Sequence, residues 1–292
     1  MRAPVVLDDI TLLTAIALIA LGLGAGAYGS LIGAGGGFII APLLILAFGI
    51  DHRLAVGSAL VTVALSSISA SITFLRLHYV DLRSAWLFSL SAIPGTIVGV
   101  IGLRYIPGHI FEIIYGFLLL ALCAYIIYTQ RSDASSKPLP LQQSNLLTHN
   151  DFWHHTHTVT TSDRGKFQYT YNEPAAVGLN GLIGFMSGFL GNGGGPFRTP
   201  ALVYLFHFPV LIAVGTSLVS QVVGTAIGSG VHVIEGNVDY PVALLTGTGV
   251  VLGAQAGVRI ARIMQAQWLL RFLALAIAAI GIQLLLSGFD VI

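Results

Sequence analysis

Residues 33–42 read GAGGGFIIAP and residues 191–200 read GNGGGPFRTP, two glycine-rich runs separated by 158 positions (191 − 33). The same shift carries Pro42 onto Pro200, Ala55-Val56-Gly57 onto Ala213-Val214-Gly215, Val80-Asp81 onto Val238-Asp239, Gly95 onto Gly253 and Arg104 onto Arg262, with no gap. A register held that far marks an internal duplication. Residues 12–23 are apolar and precede Ala25-Gly26-Ala27, a combination that resembles a cleaved leader. Gly26 also falls on Gly184, so the N-terminal stretch has a partner deep in the chain and is expected to be retained structure.

The duplicated unit is hydrophobic throughout. Of the 292 residues, 55% are hydrophobic and only 9% charged, against roughly 25% charged in a soluble domain. The mean hydropathy is +0.86. A formal net charge of +1 leaves no basic field for nucleic acid. Each unit reads as a series of apolar segments, at 11–32, 38–49, 55–75, 84–103 and 109–129, then at 175–190, 196–208, 213–231, 241–260 and 267–287. In lipid a helix satisfies its own backbone and a lone strand does not, so all are expected to be helical. The fold class is therefore an all-α integral membrane protein of two inverted repeats, with 8–10 transmembrane segments, in the cell membrane. The second segment of each unit is short and begins at the glycines, as a half-helix or re-entrant hairpin would.

Residues 131–173 change character, with Ser, Thr, Gln, Asn and several histidines, and are expected to form an extramembrane linker between a first repeat (1–130) and a second (174–292). Within it, 156–161 and 167–171 alternate around Ser162-Asp163-Arg164-Gly165, the pattern of a small β-hairpin. If the linker is cytoplasmic, Arg76, Arg83, Arg131, Lys137, Arg164, Lys166, Arg259, Arg262 and Arg271 lie inside, and Arg2, Arg53, Arg104 and Arg198 outside. That satisfies the positive-inside rule. The loop 76–83 is basic whereas its counterpart 234–241 holds no Lys or Arg, so equivalent loops face opposite sides. Oppositely inserted copies of one fold are the architecture of alternating-access transporters.

Consecutive glycines weaken a helix by about 1 kcal/mol each, so their duplication implies a backbone requirement. One reading is close helix packing. The other is that Gly35, Gly36, Gly37 and Asn192, Gly193, Gly194, Gly195 interrupt the helix in mid-membrane, so that each following helix aims free N–H groups at a central anion. Arg198, whose counterpart is Ile40, is either the substrate's counter-ion or an arginine reaching an outer headgroup. Ser58, Thr62, Ser66 and Ser69, with Thr216, Ser217, Ser220, Gln221 and Thr225, could donate hydrogen bonds to an oxyanion or bond to neighbouring helices.

Other groups read more plainly. His149, His154, His155 and His157 near Asp151 are irregularly spaced and read as a solvated loop before a metal site. Asp81 and Asp239 are expected helix caps. Cys123, the single cysteine, is expected to be buried and inert. No cofactor is expected.

With these motifs in view, the chain resembles the sulfite exporter TauE/SafE family of membrane permeases. The likeness rests on the paired glycine runs with Pro42 and Pro200, each followed by Ala-Val-Gly-Ser/Thr and a small-residue helix. The resemblance implies a small sulfur-containing anion as substrate, such as sulfite, sulfoacetate or another organosulfonate, with the glycines, Ser58, Thr216 and Ser217 along its route. It leaves open which anion, the direction of flux, the coupling ion and the oligomeric state. No Asp, Glu or Lys lies in the middle of a segment, so no carboxylate proton relay is evident. An anion channel, a membrane-embedded enzyme and a non-transporting scaffold are the rival readings. For an enzyme of the phosphate-loop kind, the lysine after the glycines is missing.

Overall fold

The computed structural model describes residues 11–133, 154–161, 165–264 and 266–289. Helices α1 (Leu12–Ile32), α2 (Gly37–Leu46), α3 (His52–Arg76), α4 (Leu82–Leu103) and α5 (Gly108–Asp133) form the first unit. Strands β1 (His154–Thr161) and β2 (Gly165–Asn172) follow as an antiparallel pair, His154 opposite Asn172 and Thr161 opposite Gly165. The second unit is α6 (Glu173–Leu190), α7 (Gly195–Pro200) continuing as a π-helical turn (Ala201–Leu205), α8 (Val210–Ile234), α9 (Tyr240–Ile263) and α10 (Ala266–Gly288). Among the described residues, six helices are long and apolar enough to cross a membrane.

The repeat is visible in the backbone itself. Helix starts at 37, 52, 82 and 108 recur at 195, 210, 240 and 266, each 158 residues on (195 − 37). Left-handed residues recur at the same shift: Gly33 with Gly191, Gly35 with Gly193, Gly36 with Gly194, Gly49 with His207 and His78 with Gly236. Gly33 and Gly191 end α1 and α6 as left-handed C-caps, which is where glycine is needed. Asp81 and Asp239 cap α4 and α9, accepting from Ser84 N at 3.1 Å and Val242 N at 3.2 Å.

The units are inverted. Gly57, near the start of α3, abuts Asn237 and His232 at the end of α8, while Gly215, near the start of α8, abuts Phe74 and Tyr79 at the end of α3. Equivalent helices therefore run in opposite directions. Each unit also lends its first helix to the other's fourth: α1 runs alongside α9, and α6 alongside α4. These pairs touch backbone to backbone through Gly22, Gly26, Gly249, Gly253 and Gly257 in one and Gly95, Gly99, Gly184 and Gly188 in the other. The α1–α2 and α6–α7 pairs are each broken at a glycine loop, between Gly33 and Gly37 and between Gly191 and Gly195. The chain after α7 returns to the hairpin, where Phe208 packs on Tyr169 and Tyr171 at ring distances of 4.4 and 4.9 Å.

Cys123 is buried, its Sγ donating to the Ala274 carbonyl at 3.3 Å. His149 and Asp151 lie outside the described residues, and among the described residues no cluster suits a metal ion.

A Cβ on Gly253 would lie 2.1 Å from the Leu23 carbonyl oxygen, whereas one on Gly24 would meet nothing within 4 Å. Gly253→Ala should therefore lower stability by roughly 1–3 kcal/mol through overpacking, and Gly24→Ala should raise it by up to about 1 kcal/mol through helix propensity. Thermal unfolding of the detergent-solubilised protein should show the two shifts with opposite sign.

Candidate functional site

The two glycine loops meet at the centre of the molecule. A Cβ on Gly37 would lie 2.5 Å from the Gly191 oxygen, and one on Gly195 would lie 2.4 Å from the Gly33 oxygen, so each loop rests on the other's backbone. Gly35 and Gly193 both face Val63 and Gln221, which are themselves equivalent residues. Gly36 and Gly194 turn the other way, towards Ala25 of α1 and Ile183 of α6. Of the three glycines in each loop, then, one faces the shared centre, one touches the partner loop and one touches its own helix.

Chemically this centre is lopsided. The Gly33 carbonyl accepts from Ser217 Oγ at 2.9 Å, Thr199 Oγ1 at 3.3 Å and Gln221 Nε2 at 3.3 Å. The counterparts of those donors are Ala59, Ala41 and Val63, so Gly191 receives no matching set. Asn192 replaces Ala34 and closes its own loop by accepting from Gly194 N at 2.9 Å. Gln221 Oε1 and Ser67 Oγ are buried without a hydrogen-bond partner among the described residues, while the Asn192 amide faces the buried Tyr115 phenol. Buried polar groups are nearly always satisfied, so this concentration marks a place where a ligand's polar atoms would be welcome.

Arg198 is turned into the protein: it is 1% exposed, and its Nε donates to Asn180 Oδ1 of α6 at 2.6 Å. Asn180 Nδ2 donates in turn to the Ala176 carbonyl at 2.8 Å, which fixes the amide with its oxygen towards the guanidinium. Arg198 Nη1 has no partner, and no carboxylate forms an ion pair with Arg198 among the described residues. A buried charge left unpaired costs several kcal/mol. An anion would relieve it.

Ser58 and Thr216 are set apart from the centre. Thr216 Oγ1 accepts from Asp81 N at 3.0 Å and Ser58 Oγ accepts from Asp239 N at 2.9 Å, so these twins tie the start of each long helix to the opposite unit's α3–α4 or α8–α9 turn. Both clasps are closed. The first is reinforced by the hairpin: the Asp81 carboxylate accepts from Ser84 Oγ at 2.6 Å and Tyr169 OH at 2.8 Å, and pairs with His157 Nδ1 at 2.7 Å. His157, expected to be solvated, is instead 8% exposed and stacks near Tyr169 and Tyr171. Burial pushes the phenols of Tyr169 and Tyr171 above the ordinary tyrosine range. Burial would also raise the Asp81 carboxyl, but the hydrogen bonds from His157, Ser84 and Tyr169 outweigh it and hold the group at about 2.

The family model described as "Sulfite exporter TauE/SafE" matches residues 18–284. The chain is 28% identical over 282 residues to the probable membrane transporter protein YunE of Bacillus subtilis, covering 94% of this chain and 98% of that one. It is 28% identical to the probable membrane transporter protein ORF9 of a Sinorhizobium species, over 87% of this chain and 86% of that one. A probable membrane transporter protein of Haemophilus influenzae is 25% identical over 78% of each chain. No solved structure matches.

The lowered carboxyl of Asp81 has a definite consequence for pH. A depressed folded-state value means that the stabilisation is present above the unfolded carboxyl's range near pH 4 and is lost as pH falls towards about 2. Hydrogen exchange should find β1 and β2 protected at pH 5 and unprotected as pH approaches 2. Asp81→Asn should weaken that protection at pH 5 as well.

Proposed function

The chain belongs to the sulfite exporter TauE/SafE family of membrane transporters, and from that premise we propose that it is a permease for a small sulfur-containing anion. Sulfite, thiosulfate, sulfoacetate and other organosulfonates share the required chemistry: compact size, full negative charge and several acceptor oxygens. The observation that carries the reading is the Arg198 guanidinium, fully buried, oriented by Asn180 and without a carboxylate among the described residues. A guanidinium forks onto two oxygens of one oxyanion, and it stays charged whatever the pH outside. Ser217 and Thr199 give their single hydroxyl protons to the Gly33 carbonyl, but the second N–H of the Gln221 amide and the Ser67 hydroxyl lie at the glycine loops and can hydrogen-bond such an anion without adding charge.

The route in this reading passes between the crossed glycine loops. Alternating access follows from the inverted clasps: parting Thr216 from the Asp81 turn opens the hairpin side, and parting Ser58 from the Asp239 turn opens the other. With both closed, the molecule is occluded. Placing the hairpin in the cytoplasm agrees with the basic residues Arg76, Arg83, Lys166, Arg259 and Arg262 at that end. A monovalent anion leaving a negative-inside cell gains about 2.3 kcal/mol per 100 mV, so efflux proceeds downhill in potential.

The test is flux of sulfite, thiosulfate, sulfoacetate and sulfate in proteoliposomes. At least one sulfur anion should show saturable uptake and counterflow. Arg198→Gln should lower it by about tenfold or more, since losing a charged contact to a desolvated partner costs about 2 kcal/mol or more. Gly195→Leu, which forces the loops apart, should abolish it. Equal leak through wild-type and Gly195→Leu vesicles would overturn the route.

A further inference from the structure

The side-chain amide of Gln221 is only half used. Its Nε2 donates to the Gly33 carbonyl at 3.3 Å, which fixes the amide, since the reverse placement would set its oxygen against another carbonyl oxygen. The oxygen is left facing both glycine loops. A Cβ on Gly35 would lie 3.0 Å from Oε1, and one on Gly193 would lie closer still, so glycine at these two positions is what keeps the oxygen uncovered. Gln221 is 1% exposed, and Oε1 has no hydrogen-bond partner among the described residues. Ser67 Oγ borders the same gap, 3.3 Å from the Gly35 Cβ position, and is likewise buried and unpartnered.

An open acceptor is an unexpected group to find in a site for anions. Sulfate, thiosulfate and the sulfite dianion present acceptor atoms alone, and each would set a lone pair against Oε1. A ligand that carries a hydroxyl does not: the hydroxyl gives its proton to Oε1 and takes one from Ser67. Charge points the same way. The stretches that meet at the centre, residues 33–46, 56–71, 191–200 and 214–229, hold one ionisable side chain, Arg198. One fixed positive charge balances one negative charge. The counterpart of Gln221 in the first unit is Val63, which has only methyl groups to offer, so the discrimination belongs to Gln221.

We propose that Gln221 Oε1 selects the substrate: a singly charged sulfur oxyanion that also carries a hydroxyl proton, such as a hydroxyalkanesulfonate or hydrogen sulfite. The inference rests on the permease reading and narrows it. An anion without that proton displaces water from a buried acceptor and returns no bond, so it binds less well at equal charge and size. Selection of this kind needs no titrating group on the protein. In the sequence Gln221 reads as a donor to an oxyanion; the bond to Gly33, 188 residues away (221 − 33), is what turns its acceptor towards the loops.

Two anions of equal charge and equal heavy-atom count separate the donor from everything else: 2-hydroxyethanesulfonate and propane-1-sulfonate, which differ by a hydroxyl in place of a methyl. Each is added unlabelled to compete with whichever labelled sulfur anion wild-type proteoliposomes exchange. The hydroxylated anion should inhibit wild type at a concentration about tenfold lower or more. Gln221→Leu and Gln221→Met, which remove the acceptor and keep the bulk, should bring the ratio to about one, whereas a merely structural change would weaken both competitors alike and keep the ratio. For a variant too slow to exchange, ligand-induced thermal stabilisation of the purified protein reads the same ratio. Equal inhibition of wild type by the two anions, or a preference retained in either variant, would overturn the selection while leaving the permease reading intact. Exchange of no sulfur anion by wild type would remove the permease reading and the selection with it.

Discussion

The contact that everything else depends on is backbone against backbone: the Gly33–Ala34 peptide on Gly195, and the Gly191–Asn192 peptide on Gly37. A side chain at either glycine would have to occupy space held by main-chain atoms, which cannot turn aside as a rotamer can. Because the contact is made twice, by symmetry-related loops, it holds two oppositely inserted units on one centre. The long helices are drawn together in the same way, through Gly22, Gly26, Gly249, Gly253 and Gly257 for α1 and α9. In lipid there is no hydrophobic gain in burying leucine against leucine, so close backbone approach supplies the attraction that a soluble core would draw from water. The glycine content therefore serves packing and interruption at once; the packing reading and the broken-helix reading are both parts of the same arrangement.

Duplication supplies the symmetry, and divergence supplies the chemistry. The clasps Ser58 with Asp239 and Thr216 with Asp81 are near copies, as a mechanism that closes either side would require. The centre is not copied. Thr199, Ser217, Gln221, Asn192 and Arg198 stand opposite Ala41, Ala59, Val63, Ala34 and Ile40, so most of the polar groups belong to the second unit, the first adding Ser67. The hairpin adds another asymmetry. It clamps the Asp81 clasp through His157, Tyr169 and Tyr171.

Much of the fold is legible because a constant register survives in the residues that cannot be exchanged. Helix starts at Gly37 and Gly195, caps at Asp81 and Asp239, and the inversion implied by Arg76 and Arg83 are local signals with local causes. The site is legible only in part. Gly35, Gly193, Ser217 and Gln221 are brought together, yet Ser58 and Thr216 serve as ties between units, because Ala-Val-Gly-Ser/Thr places them at helix starts, away from the middle. Arg198 reads two ways in the sequence because its partner Asn180 sits 18 residues earlier in an apolar run, and only the break at the glycine loop brings the two within 2.6 Å. The burial of His157 is illegible for a similar reason, since its carboxylate partner Asp81 lies 76 residues away (157 − 81) in the first unit.

The most direct measurement of the central arrangement is cross-linking between Val63→Cys and Gln221→Cys in a Cys123→Ser background. These equivalent side chains both border Gly35 and Gly193 between the crossed loops. A mild oxidant or a short bifunctional thiol reagent should join them within one chain and arrest flux, with recovery on reduction where the link is a disulfide. Two cysteines that never join, or a joined protein that transports as before, would contradict a shared centre between inverted units.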